Sequence, residues 1–370
     1  MQHQQLLISI LIVASSCVPS KNRMIKESDC IPSFENGLLT SKLLKTDSDA
    51  FFEQYYTLYQ GTVDEFEKSK ELFLKNKSYL KNTSNDLLAT ALFYNSTDDL
   101  ENYSKYLNLA RDRDSSNIYV RLEKLISKFD NSCGEDAVLE EIKELYEIHP
   151  TNFWILKELQ ERLLYNNHSE IAQNYLMKYP CQENINLKIL RSNILLNEEK
   201  YEEAVEVLTS LYATNKSIGL LHLLTSAHFF YMSDWEASLK LITDANQEDN
   251  LLFYTILGHI KIAQGDYGGG EQYFEKVHLN NQSSQSILSL IWFNLAMGKL
   301  SDSKRYLDEY VNSNYLITSE LSGYKISYYL MIDDYQEAQK LFNSSDECFR
   351  PDILSYVQMM GFAESDLMDD

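Results

Sequence analysis

A helix-like stretch recurs nine times along this chain at nearly constant spacing. The stretches begin at Phe66, Leu100, Glu135, Ser169, Tyr201, Trp235, Tyr267, Leu300 and Tyr335, 32 to 35 residues apart. Seven residues after each start stands an apolar side chain without exception: Phe73, Leu107, Ile142, Leu176, Leu208, Ile242, Phe274, Leu307 and Phe342. Three residues after it stands a small one at Ser69, Ala172, Ala204, Ser238, Gly270, Ser303 and Ala338, with Tyr103 and Val138 departing. Start, third and seventh positions share one face of a helix. The small residue admits a close neighbour, and the apolar one fills the layer beyond it. No such unit buries its apolar face alone, so a pattern of this length predicts stacked units.

Before most starts lies a second apolar-rich segment about one helix long, as in FWILKELQERLL, LLFYTILGHIKIA and SILSLIWFNLAMG. Polar or glycine-containing breaks such as NEEK, MSD, QGD and GK separate the two, which makes each unit a helical hairpin. With 12 Gly and 5 Pro in 370 residues there are few places to turn a sheet. A period near 34, an aromatic opening the second helix and a small residue one turn later resemble the tetratricopeptide repeat. Leu257-Gly258 followed by Gln264-Gly265-Asp266-Tyr267 matches best, and Tyr201-Glu202-Glu203-Ala204 next. The resemblance implies an all-α, right-handed superhelical solenoid of about nine hairpins over residues 51–350, with 351–370 as a capping helix and acidic tail.

The N-terminus carries a different signal. Leu6 to Ala14 is an apolar run too short to span a bilayer, which needs about 20 residues, but long enough for the core of an export signal. Ala14-Ser15-Ser16-Cys17 then resembles the lipobox of bacterial lipoproteins, which implies a signal peptide over 1–16 and acylation of Cys17. Residues 17–50, polar and containing Pro19, Pro32 and Gly37, read as a tether. The expected address is the bacterial cell envelope, lipid-anchored, with the periplasmic side of the outer membrane favoured. Cleavage after Ser16 without a lipid would give a secreted protein, and initiation at Met24 a cytoplasmic one. Cys30, Cys133, Cys181 and Cys348 stand far apart without a CxxC pair, so a zinc or redox motif is absent.

Catalytic chemistry finds little support in the residues. Gly268-Gly269-Gly270 falls inside the second helix of a unit, not between a strand and a helix, and so reads as a close-packing site rather than a phosphate loop. His222, His228 and His259 lack an evident carboxylate to orient them as metal ligands. We expect no enzyme activity, no cofactor and no metal. A net charge of −22 repels phosphate backbones, which disfavours nucleic acid.

In tetratricopeptide solenoids the first helix of each unit lines a concave surface. Carried onto units six to eight, its lining positions imply a groove that includes Leu220, Leu223, Phe230, His259, Leu288, Trp292 and Leu295. The Lys, Asn and Arg with which some members clamp a carboxylate terminus are absent from these positions. Two readings stay open: an apolar binding groove, or side chains buried against one another in a tight superhelix. The first implies a protein or peptide partner with an apolar core and basic flanks, or alternatively a small apolar ligand.

Overall fold

The computed structural model describes residues 48–60, 63–131, 136–179, 182, 185–281, 283–313, 315 and 317–367. The proposed signal segment, Cys17 and nearly all of the tether lie outside the described residues. Among those described there are nineteen α-helices and no strand. They pair into nine hairpins: α1 (Ser48–Tyr59) with α2 (Val63–Asn76), α3 (Ser84–Asn95) with α4 (Leu100–Arg113), and α5 (Ile118–Asn131) with α6 (Asp136–Ile148). Next come α7 (Phe153–Tyr165) with α8 (Ser169–Lys178), α9 (Ile185–Asn197) with α10 (Tyr201–Thr214), and α11 (Ile218–Ser226) with α12 (Trp235–Asp244). The last three join α13 (Tyr254–Ala263) to α14 (Tyr267–Asn280), α15 (Ser284–Ala296) to α16 (Leu300–Asn312), and α17 (Ser319–Met331) to α18 (Tyr335–Ser344). A final helix, α19 (Arg350–Met359), packs on α17.

The repeat columns coincide with these boundaries. Seven of the nine starts are the first residue of a second helix. The seventh-position residues are all buried, from Ile242 and Phe274 at 0% to Phe342 at 8% exposed. In the third column all but Tyr103 are buried. The starting aromatics are less enclosed: Trp235 is half-buried, while Tyr267 and Tyr335 are exposed.

A further column emerges in the turns. Two residues before seven of the starts the backbone enters the left-handed region, at Asp98, Asn167, Glu199, Ser233, Gly265, Gly298 and Asp333, with φ between 54 and 80°. In six of these turns the next amide donates to a carbonyl five residues back, for example Asp266 N to Lys261 O at 2.8 Å, as in a Schellman closure of the first helix. The residue in that next position often caps the second helix, since Asp99, Asp234, Asp266 and Asp334 accept from backbone amides there. One residue terminates a helix and its neighbour starts the next, so each hairpin closes in a very short turn.

Hairpin 7 shows what the small positions permit. A Cβ added at Gly270 would stand 3.0 Å from the Gly258 carbonyl oxygen, and one at Gly258 would stand 3.0 Å from the Phe274 ring. The backbones of α13 and α14 therefore cross where only hydrogen fits on both sides.

The solenoid is curved enough for distant hairpins to meet. α1 lies against α5 and α7: the Phe52 and Tyr119 rings are 5.2 Å apart, and those of Tyr56 and Trp154 5.8 Å. α2 packs against α11, and the Ser284 amide donates to the Asp98 carboxylate at 3.1 Å across 186 residues. Hairpin 1 thus sits inside the arc formed by hairpins 3 to 6, and the turn of hairpin 2 touches the start of hairpin 8.

Candidate functional site

The π-turn that follows α11, together with α13, α14 and α15, brings aromatic side chains together around His259. Its imidazole stands 4.8 Å from Trp292, 5.1 Å from Phe274, 5.7 Å from Phe230 and 5.8 Å from Phe229, centre to centre. Burial among these rings pulls its pKa down from 6.5 to about 4, because a charged imidazolium would lose its hydration there. His259 is accordingly neutral at physiological pH, an aromatic plate rather than a cation.

The helix carrying Phe229 and Phe230 is interrupted at that point. After Ser226 the α-helix widens into a π-turn over Ala227–Tyr231. The turn inserts a residue, and the closing bond runs from Asp234 N to His228 O, one residue farther than in the other hairpins. π-Turns inside helices re-aim side chains and recur at functional positions. Here the result is that Phe229 is half-buried against His259, while Phe230 and Tyr231 face outward at 52% and 46% exposure. The Tyr231 ring extends the patch to Tyr201 of α10, 5.7 Å away.

The seven groove residues named from the sequence fall into three groups. Leu220, Leu288 and Leu295 are 1–3% exposed and belong to the packing between helices, where they present no surface to a ligand. Their positions on the repeat wheel face inward, but neighbouring elements close over them. Leu223, His259 and Trp292 are half-buried, and Phe230 is exposed. The structure brings Phe230, His259 and Trp292 together and leaves the rest out of the contact. The three histidines do not converge: His222 lies against Phe253, and His228 stands 3.9 Å from Asp234. Among the described residues no cluster of His, Cys, Asp or Glu is arranged to hold a metal, and no helix is long and apolar enough to cross a membrane.

A second site, which the sequence reading did not single out, lies on the inner face of hairpins 3 and 4. Glu123 of α5 is 4% exposed and accepts from the Tyr56 hydroxyl of α1 at 3.1 Å. Beside it Glu158 of α7 pairs with Arg162 at 2.7 Å, and Lys157 contacts Glu161 at 2.8 Å while donating to Gln60 at 3.0 Å. Burial, then the nearby Glu158 charge, push the Glu123 carboxyl up to about 8, against the opposing pull of Tyr56, Arg162 and Lys157. Glu123 and Lys157 both stand twelve residues before a repeat start, a lining position in the resembled family. Applying the lining rule to units three and four would have named both residues. Nothing in the local pattern would have revealed that α1 covers them.

No family model matches the chain, and no curated protein does. Several solved structures are similar to it. A tetratricopeptide repeat protein from Parabacteroides merdae is 12% identical over 74% of this chain and 98% of its own, with a TM-score of 0.45. The Cut9-Hcn1 hetero-tetramer of the APC/C is 15% identical over 84% of this chain and 63% of the matched chain, at 0.47. Human IFIT1, in a dimer with m7Gppp-AAAA, is 11% identical over 85% of this chain and 73% of its own, also at 0.47.

Proposed function

We propose that this protein is a non-enzymatic scaffold of the bacterial cell envelope, held to the membrane through a lipid on Cys17, that binds a protein or peptide at the aromatic face of α11, α13 and α15. The observation that carries the binding reading is Phe230. A large apolar side chain left 52% exposed by a local break in its helix, beside the half-buried His259 and Trp292, supplies a rigid aromatic surface of the kind that dominates binding energetics. The net charge of −22 supports a partner with Lys or Arg around an apolar core, whose association slows as salt rises. The address rests on the apolar run ending in Ala14-Ser15-Ser16-Cys17.

The test places a photo-crosslinking residue at position 230 in the full chain and, as a control, at the exposed Glu236 of α12. A discrete adduct from 230, absent from 236 and lost in a Trp292→Ala background, is the expected result. Equal labelling from both positions, or an adduct indifferent to Trp292, overturns the binding face. For the address, Cys17→Ala should move the protein out of the membrane fraction or leave it as unprocessed precursor. An unchanged membrane fraction and N-terminus would remove that part of the reading.

A further inference from the structure

The inner face of hairpins 3 and 4 is filled by the chain's own first helix, and the otherwise apolar contact encloses a carboxyl. Around α1 the apolar seal comes from Phe52 and Tyr56 on Tyr119 and Trp154. Within that seal sits Glu123, a nearly inaccessible carboxyl whose one hydrogen bond comes from a neutral tyrosine hydroxyl and which forms no salt bridge. The adjacent Glu158 already takes Arg162 and Lys157. A single neutral donor satisfies a protonated carboxyl far better than an ionised one.

The groups facing this seam are Tyr55, Tyr56 and Tyr59 from α1, Tyr119 and Glu123 from α5, and Lys157, Glu158, Glu161 and Arg162 from α7. Glu53 of α1 accepts from the Tyr119 hydroxyl at the outer edge, and Asn95 of α3 donates to Tyr59. Of the carboxylates at this seam among the described residues, Glu123 is the one that is buried without an ion pair.

We propose that the α1–α2 hairpin is a displaceable clasp, an internal ligand that closes the solenoid by covering the inner face of α5 and α7 and meeting α11, and that it opens as the pH rises because opening lets Glu123 ionise in water. Closure favours the protonated carboxyl, whose pKa is near 8 when covered and near 4.5 when free. The closed form is therefore fully favoured below about pH 4.5, and its advantage is lost progressively as pH rises to about 8. Opening uncovers Glu123, Trp154 and Lys157, an apolar and charged trough shaped to take an amphipathic helix such as α1. The clasp is independent of the reading at Phe230, since it concerns hairpins 1, 3 and 4 and its readout needs no partner.

The experiment is hydrogen exchange on the full-length protein between pH 5.5 and 7.5, corrected for the intrinsic pH dependence of amide exchange. Protection of residues 48–76 should fall at least tenfold relative to residues 185–214 of α9 and α10, which stand apart from both Glu123 and His259, and Glu123→Gln should flatten that trend. Tyr56→Phe should speed exchange of residues 48–76 throughout. If residues 48–76 open in step with residues 84–165 at every pH, the hairpin is an integral part of the solenoid and the clasp is overturned. The same follows if the Gln variant keeps the wild-type profile. Should that variant not fold, the wild-type ratio decides alone: a flat ratio across the range refutes the proposal.

Discussion

Hairpins 1 to 4 and hairpins 6 to 8 obey the same repeat columns, yet their inner faces end differently. In the first region one apolar cluster runs without a break from Phe51 to Ile194, and Trp154, an inner-face residue, is 4% exposed. In the second the apolar residues divide into separate clusters, and Trp292, also at an inner-facing position though about two turns farther along its helix, is half-buried beside an exposed Phe230. α1 crosses the first face. Among the described residues, nothing comparable crosses the second at Phe230. The two tryptophans thus both occupy inner-facing positions of the repeat and meet unlike surroundings in the molecule. A repeat dictates which side chains face inward, whereas the curvature of the whole array dictates which of them meet something.

The comparison can be broken most forcefully where both regions should behave alike. Leu208→Asp puts a charge in the seventh-position column, 2% exposed between α10 and its neighbours, and should cost about 4 kcal/mol or more. Because each hairpin leans chiefly on its neighbours, hydrogen-exchange protection should be lost outward from hairpin 5. Uniform loss across the chain would show a single cooperative unit instead.

The tryptophan pair comes next and tests the difference directly. Trp154→Ala should cost about 3–5 kcal/mol, the usual range for emptying an aromatic site in a sealed core. Trp292→Ala should cost roughly half as much stability, while weakening partner binding by about 2 kcal/mol, or thirtyfold. Thermal melts of both variants beside an affinity measurement on the second settle the matter. Equal stability losses would mean that the second inner face is as closed as the first.

The two regions should also carry opposite pH signatures. His259 is depressed from 6.5 to about 4, so its contribution is present above pH 6.5 and is lost as pH falls towards 4. Exchange in α13 and α15 should therefore accelerate on acidification, and His259→Phe should reduce that response. At hairpin 1 the Glu123 carboxyl, raised from 4.5 to about 8, gives the reverse sign. The smallest stability change is expected at Phe230→Ala, within about 0.5 kcal/mol, since an exposed side chain leaves no cavity. A melting point that drops by several degrees would place Phe230 in the core and remove it from the binding face.

Much of the fold was legible because a helix writes its buried face into every third and fourth residue. Leu208, Ile242 and Phe274 could be placed in the core from spacing alone, and the structure buries all three. The left-handed turn column was partly visible in Gly265, Gly298, Asn167, Asp98 and Asp333, residue types that tolerate positive φ, but Glu199 and Ser233 concealed it. The site was less legible. Leu288 and Leu295 share a helix with Trp292 and looked equivalent to it on the repeat wheel, but neighbouring side chains close over the leucines and leave part of the indole accessible.

The sequence by itself determined the number of hairpins, the residues between their helices and, among the described residues, the absence of a sheet, because those follow from contacts within one unit and with the next. Only the tertiary structure decided that Ala227–Tyr231 relaxes into a π-turn, that α1 covers Glu123 and Trp154, and that Asp98 reaches Ser284. Those outcomes depend on small rotations between successive hairpins, summed over several units until distant ones touch. No local pattern contains that sum, since each rotation is set by packing on both sides and a slight change in any one of them moves every hairpin beyond it.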